Sequence, residues 1–195
     1  MANLHFFYGT MGAAKSTKLI QDRYNFIHND IPVYTIKPKT DRHDEPKITT
    51  RIKLECPAAI HTDLKTPELI KIPEMAMAQV VLVDEVQFFS PRDIDNLVVL
   101  ADKYDKRVFC YGLLVDVNEN LFPASKHLIE VGAKLHELAT SCQMPGCKNL
   151  ANHHLRYTVD GKIIRNGDSV CVDNGAVIYK SVCRKCYDNA LQLRR

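Results

Sequence analysis

Three groups of residues in this chain of 195 have the types and spacing to do chemistry. The first is Gly9-Thr10-Met11-Gly12-Ala13-Ala14-Lys15-Ser16-Thr17. A loop of small residues closing on Lys-Ser turns its backbone N–H groups, and the N-terminus of a following helix, toward an anion. Lys15 then reaches the outer phosphates of a nucleotide and the Ser16 hydroxyl can ligate Mg²⁺. The pattern departs from G-x-x-x-x-G-K-[ST] at Ala14, which takes the place of the second glycine. A left-handed backbone there would cost a non-glycine residue about 1–2 kcal/mol. Gly12, two residues earlier, is expected to absorb part of the turn and leave Ala14 unstrained. The second group is Asp84-Glu85, directly after the apolar run Val80-Val81-Leu82-Val83. An aspartate at the end of a buried strand can hold the Mg²⁺ of a nucleotide, and a second carboxylate beside it can serve as general base toward a hydroxyl. The third is Cys142-x4-Cys147 with Cys183-x2-Cys186, two knuckles whose four thiolates fit a closed, structural zinc site.

These residues need elements to bring them together. Leu4-His5-Phe6-Phe7-Tyr8 reads as a strand into the phosphate loop, and Leu19, Ile20, Tyr24 and Ile27 recur at helical spacing, so a helix is expected over Lys15–His28. Val33–Ile36, Val80–Val83 and Val108–Tyr111 read as further strands, and Leu135–Ala139 as another. Ser90-Pro91-Arg92-Asp93 caps a helix whose Ile94, Leu97, Val98 and Ala101 share one face. Thr66-Pro67-Glu68 is expected to open a short helix, with Thr66 as N-cap and Pro73 bending or ending it. A helix is expected over Ala124–Val131. Residues 37–62 are polar and read as a long excursion, either a solvated loop or a basic flap near the phosphates. Strands alternating with helices predict an α/β fold, a parallel sheet with helices on both faces and its ligand site beyond the strand ends. From Ser141 onward the texture changes to short strands and turns, Asp160-Gly161 among them. The reading is therefore residues 1–140 as a nucleotide-binding domain and residues 141–195 as a small zinc-ribbon domain.

Composition narrows the function. Apolar content of 46%, charged content of 25% and a net charge of +3 are those of an ordinary globular protein. No apolar run approaches the roughly 20 residues that span a bilayer, and no signal-peptide core opens the chain. A cytoplasmic home is expected, where the seven cysteines are thiols or metal ligands. Cys56, Cys110 and Cys171 stand singly and read as packing residues. The lack of a dense Lys/Arg stripe counts against a nucleic-acid partner. His153 and His154 lie between the knuckles and could compete as ligands, but adjacent histidines on a strand point apart. The segment Cys171–Tyr179 leads into the second knuckle. It is either a plain connection or a loop that clasps a substrate through its main chain.

In combination, Val83-Asp84-Glu85-Val86-Gln87-Phe88-Phe89, Tyr111-Gly112-Leu113 and Tyr179-x-Ser181-Val182-Cys183-Arg184-Lys185-Cys186 resemble the thymidine kinases of bacteria and of the animal cytosol. The resemblance runs from Gly9 to the last helix. It implies transfer of the γ-phosphoryl group of ATP to the 5′-hydroxyl of thymidine. By that likeness Gly9 to Thr17, Asp84 and Gln87 form the ATP site, Ser16 and Asp84 hold Mg²⁺, and Glu85 takes the hydroxyl proton. Val170, Cys171, Val172, Asp173, Asn174 and Gly175 would contact the base through their main chain, with Tyr179 and Val117 lining its pocket. Arg42 and Arg51 match basic positions near the phosphates, and Zn²⁺ is structural. The likeness also implies a homotetramer or homodimer, feedback inhibition by thymidine triphosphate, and a nucleoside as partner with neither nucleic acid nor membrane. Val117 stands where relatives carry a phenylalanine, and Leu114 and Glu119-Asn120 also differ. An altered deoxynucleoside kinase, or a nucleotide-binding protein with little catalysis, are the alternatives.

Overall fold

Continuous apolar runs become strands here because both faces of one sheet are covered. The computed structural model describes residues 3–39, 45–165 and 177–193. The strands of its N-terminal part are β1 (Leu4–Tyr8), β2 (Val33–Pro38), β3 (Lys47–Thr49), β4 (Glu55–Pro57), β5 (Ala59–His61), β6 (Val80–Val83), β7 (Arg107–Gly112) and β8 (Lys134–Glu137). Six of them form a parallel sheet in the order β5-β2-β6-β7-β1-β8. Successive side chains point to opposite faces. Phe6, Val81, Val83, Val108 and Cys110 therefore join one core cluster, while Phe7, Val80, Leu82 and Tyr111 join the other.

The helices are α1 (Lys15–His28), α2 (Thr66–Leu69), α3 (Pro73–Met77), α4 (Pro91–Lys103) and α5 (Pro123–Glu130). Fully buried Leu19 anchors α1 to the second cluster, whereas Ile94, Leu97 and Leu100 of α4 and Leu128 of α5 build the first. Ser90 closes a capping box with Asp93 at the start of α4, as expected from the sequence. Asp93 also accepts the backbone N–H of Leu64 at 2.7 Å, which ties the preceding connection to this helix.

Three expectations change. The excursion over 37–62 contains the antiparallel pair β3–β4 and the edge strand β5, which joins the main sheet beside β2. At three residues each, these strands are too short to show a period. Lys65, not Thr66, is the N-cap of α2. Pro73 begins α3 instead of ending a helix, since its missing N–H costs nothing in a first turn.

The C-terminal part has β9 (His153–Thr158) and β10 (Val177–Val182) as an antiparallel pair, followed by α6 (Arg184–Leu191). The chain turns at Asp160-Gly161 after β9, with the N–H of Thr158 donating to the Lys162 carbonyl at 2.8 Å. The core of this part is small: Cys142, Leu155, Val182, Cys183 and Tyr187. No helix among the described residues is long and apolar enough to cross a membrane.

Candidate active site

Parallel strands end on the same edge of a sheet, and that edge collects the reactive residues. β1 runs into the phosphate loop, β6 runs into Asp84-Glu85, and β7 lies between them. The gap is crossed by side chains. Ser16 Oγ donates to Asp84 Oδ2 at 3.0 Å, joining the loop to the carboxylate pair. Lys15 is buried, and its Nζ donates to the carbonyls of Thr10 and Gly9 at 3.0 and 3.2 Å. Burial lowers its proton affinity, partly offset by Glu85 and Asp84. Asp84 is buried too. Burial, together with Glu85 beside it, pushes its carboxyl up to about 7. A buried carboxylate short of positive charge, bonded to a hydroxyl, is a hard oxygen pair that fits Mg²⁺.

Glu85 takes a left-handed backbone, φ 47°, immediately after the strand. Non-glycine residues adopt that conformation only where the surroundings impose it. The Glu85 carboxylate is held by Gln87, whose Nε2 donates to Oε2 at 2.6 Å. Gln87 is expected in the ATP site, but both ends of its buried amide are engaged within the protein. Its Oε1 accepts the N–H of Leu113 at 3.0 Å. The end of β7 must be glycine for this to fit, since a Cβ on Gly112 would come within 2.5 Å of Gln87 Oε1.

Ala14 corrects the expectation for the loop. It is the N-cap of α1 at φ 58° and ψ 28°, so the left-handed position is real and Gly12, itself at φ 78°, does not relieve it. The two residues serve separate turns. Ala14 is exposed, and Ala14→Gly is expected to gain about 1 kcal/mol of stability, raising Tm by about 2–4 °C while preserving ATP affinity. Gly12→Ala should lose about 1–2 kcal/mol from its backbone angle alone, because the nearest atom to a new Cβ there is Arg51 Nη1 at 3.9 Å. Thermal unfolding of both variants checks this.

These residues line one cleft of about 1630 Å³, with Met11 to Thr17 (Ala13 excepted) on one wall and Asp84, Glu85 and Gln87 on its floor. Lys37, Lys39 and Arg51 reach it from β2 and the β3–β4 flap, in keeping with a basic flap. Val117 and Tyr179 line its far side. Val117 is fixed through its carbonyl, which accepts Tyr187 Oη at 2.9 Å. Gly9 and Thr10, at the start of the loop, line a separate cavity of about 470 Å³. Gly9 admits no side chain, as a Cβ would sit 2.3 Å from the Leu138 carbonyl oxygen. Arg42 and the segment Val170, Cys171, Val172, Asp173, Asn174 and Gly175 lie outside the described residues.

The four late cysteines converge. Their Sγ atoms all lie within 4.8 Å of one another, and Cys147 Sγ is 3.8 Å from Cys183 Sγ. Four Zn–S bonds of about 2.3 Å in a tetrahedron put sulfurs about 3.8 Å apart, so the donor set fits zinc. Cys183 caps α6 and Cys186 lies in its first turn. Burial opposes ionisation of the Cys183 thiol, but the Cys186 N–H and the Asn149 amide bring it down to about 6. Burial and the neighbouring sulfurs push Cys186 up to about 12. Such a set releases its first proton easily and its last only to a cation. His153 and His154 point apart and lie outside the sulfur cluster: His153 Nε2 pairs with Glu119 at 2.8 Å. Cys56 and Cys110 are buried packing residues, as expected.

A family profile described as thymidine kinase matches residues 2–187. The chain belongs to the thymidine kinase family. Among its relatives, the thymidine kinase of Shewanella oneidensis is 36% identical over 190 residues, 95% of this chain and 96% of the relative. That of Vibrio vulnificus is 36% identical across 98% of this chain and 99% of its own length. That of Salmonella choleraesuis is 37% identical, covering 98% and 93%. As a thymidine kinase family member the chain is a phosphotransferase.

Two features of this site escape sequence reasoning. One is the Glu85–Gln87–Gly112 arrangement. The other is the seating of the phosphate loop on the C-terminal hairpin, where Met11 N–H donates to His154 Nε2 at 2.9 Å and Ser181 Oγ donates to the Met11 carbonyl at 2.6 Å. These contacts span 143 and 170 residues, and no spacing signals them.

Proposed function

We propose that this thymidine kinase family member transfers the γ-phosphoryl group of ATP to the 5′-hydroxyl of thymidine, giving thymidine monophosphate. The observation that carries the reading is Glu85. It is held by Gln87 at the cleft floor, beside the Ser16–Asp84 pair and across from Val117 and Tyr179. The phosphate loop binds the phosphates through the amides of Gly12 and of Ala14 to Thr17, and Lys15 neutralises charge on the transferring group. Ser16 and Asp84 would hold Mg²⁺, which would supply positive charge to the phosphoryl transfer. Glu85 accepts the proton of the 5′-hydroxyl as that oxygen attacks phosphorus and ADP leaves. Gln87 acts by orienting Glu85. Residues 170–175 clasp the base through their main chain, Tyr179 packs on the nucleoside, and Arg51 faces the phosphates with Arg42.

Residues 1–140 and 141–195 work as two domains, the second organised by structural Zn²⁺. Four clustered thiols fit a reducing cytoplasm. The chain acts as a homotetramer or homodimer on a small nucleoside, independently of nucleic acid and membrane. A panel of thymidine, deoxyuridine and deoxycytidine with ATP tests the substrate. Thymidine is expected to give the highest kcat/KM. Val117, smaller than phenylalanine, widens the pocket, and contacts of this size are worth about 1–3 kcal/mol. Deoxycytidine as the best substrate would replace thymidine in this reading.

A further inference from the structure

Both backbone groups of Met11, its N–H in the Thr10–Met11 peptide and its carbonyl in the Met11–Gly12 peptide, are held by one pair of residues on the C-terminal hairpin. His154 and Ser181 face each other across β9 and β10 as register partners. The first accepts the Met11 N–H and the second donates to the Met11 carbonyl. Both are nearly inaccessible, at 3% and 1% exposure. We infer that His154, together with Ser181, is a positioning residue for the nucleotide, fixing the two peptide planes that flank the Met11 Cα and through them the phosphate loop.

The loop shows why those peptides matter. Met11 directly precedes Gly12, whose left-handed turn sets the direction of the next amides. On its other side the Ala13 N–H closes a turn onto the Thr10 carbonyl at 3.1 Å. With the Met11 N–H committed to His154 and the Met11 carbonyl to Ser181, neither flanking peptide can flip, and the amides beyond them are held for phosphate. Preorganisation of this kind spares the ordering cost that a free loop would meet on binding. His154 suits the role because an imidazole nitrogen accepts only while it is unprotonated. Burial, with Lys15 and His153 nearby, pushes its pKa down to about 4 and keeps it neutral around pH 7. The hairpin that positions the loop also runs, through Val182, into Cys183. ATP affinity is thereby tied to the C-terminal core.

The inference rests on the phosphate loop being the ATP site. The test is calorimetric binding of ATP and Mg²⁺ to the full chain, alongside the KM for thymidine, in wild type, His154→Leu and His154→Gln. Gln can present an acceptor oxygen where Nε2 stands, while Leu cannot. The expected result is about a tenfold rise in the ATP Kd for His154→Leu, with recovery to about threefold for His154→Gln. The thymidine KM should hold within about twofold, as expected where the loss is confined to nucleotide binding. ATP binding by His154→Leu at wild-type affinity, a parallel loss of thymidine affinity, or no recovery with Gln would overturn the inference. If the Leu variant does not fold, Ser181→Ala carries the same test. It should raise the ATP Kd by about threefold or more, and an unchanged Kd there would overturn the inference. Wild type that binds no ATP would instead remove the phosphate-loop assignment itself.

Discussion

Glu85→Gln is expected to lower kcat on thymidine by about 10²–10⁴-fold, the range for loss of a general base, while ATP and thymidine affinities stay close to wild type. The substitution is unusually clean at this position. An amide oxygen can still accept from Gln87 Nε2, so the local hydrogen bond survives. The left-handed backbone angle is met as well or as badly by Gln as by Glu. What disappears is the ability to take a proton. Single-turnover kinetics with bound ATP check the expectation. If the chemical step keeps its wild-type rate, Glu85 is not the base, and its strained conformation has another cause.

Removing the metal expected at the four cysteines should have the second large effect. Among the described residues, the core cluster of the C-terminal part has five buried members, two of which are the cysteines Cys142 and Cys183. So small a cluster cannot offset the entropy of ordering its strands. Structural Zn²⁺ contributes on the order of 10–16 kcal/mol to the apparent stability of zinc-finger peptides at pH 7. A strong chelator acting on reduced protein should therefore unfold the chain beyond about residue 140, where the second domain is expected to begin. Turnover should stop, because Val177, Ile178 and Tyr179 leave the cleft and the Met11 backbone loses His154 and Ser181. Limited proteolysis and thiol counting, before and after zinc is returned, follow the change. Four thiols that react equally fast with and without the chelator would rule out the zinc assignment.

Much of the fold is legible in the sequence, for a specific reason. β6 and β7 are buried on both faces, so Val80 to Val83 and Val108 to Tyr111 stand out as unbroken apolar runs. The capping box at Ser90 and the two cysteine knuckles are local patterns, readable at short range. β3, β4 and β5 are not legible, because three residues hold too little periodicity and Pro57 and Lys47 read as loop. Ala14 shows a different limit. Its composition argues for a relaxed turn, but the geometry of the loop demands a left-handed residue whatever its type. Of the residues that line the cleft, Lys15, Ser16, Asp84 and Glu85 can be picked out as candidates from spacing. Gln87 as the brace of Glu85, and His154 as the seat of the phosphate loop, depend on the order of strands in the sheet and on how the hairpin docks.

The central claim is that this cleft couples ATP to a thymidine hydroxyl. It is tested most directly by following ADP and thymidine monophosphate together in one reaction of the purified chain with ATP, Mg²⁺ and thymidine. The expected result is formation of both products in equal amounts, with ADP release dependent on thymidine. ADP formed at the same rate without thymidine, and no thymidine monophosphate, would contradict it.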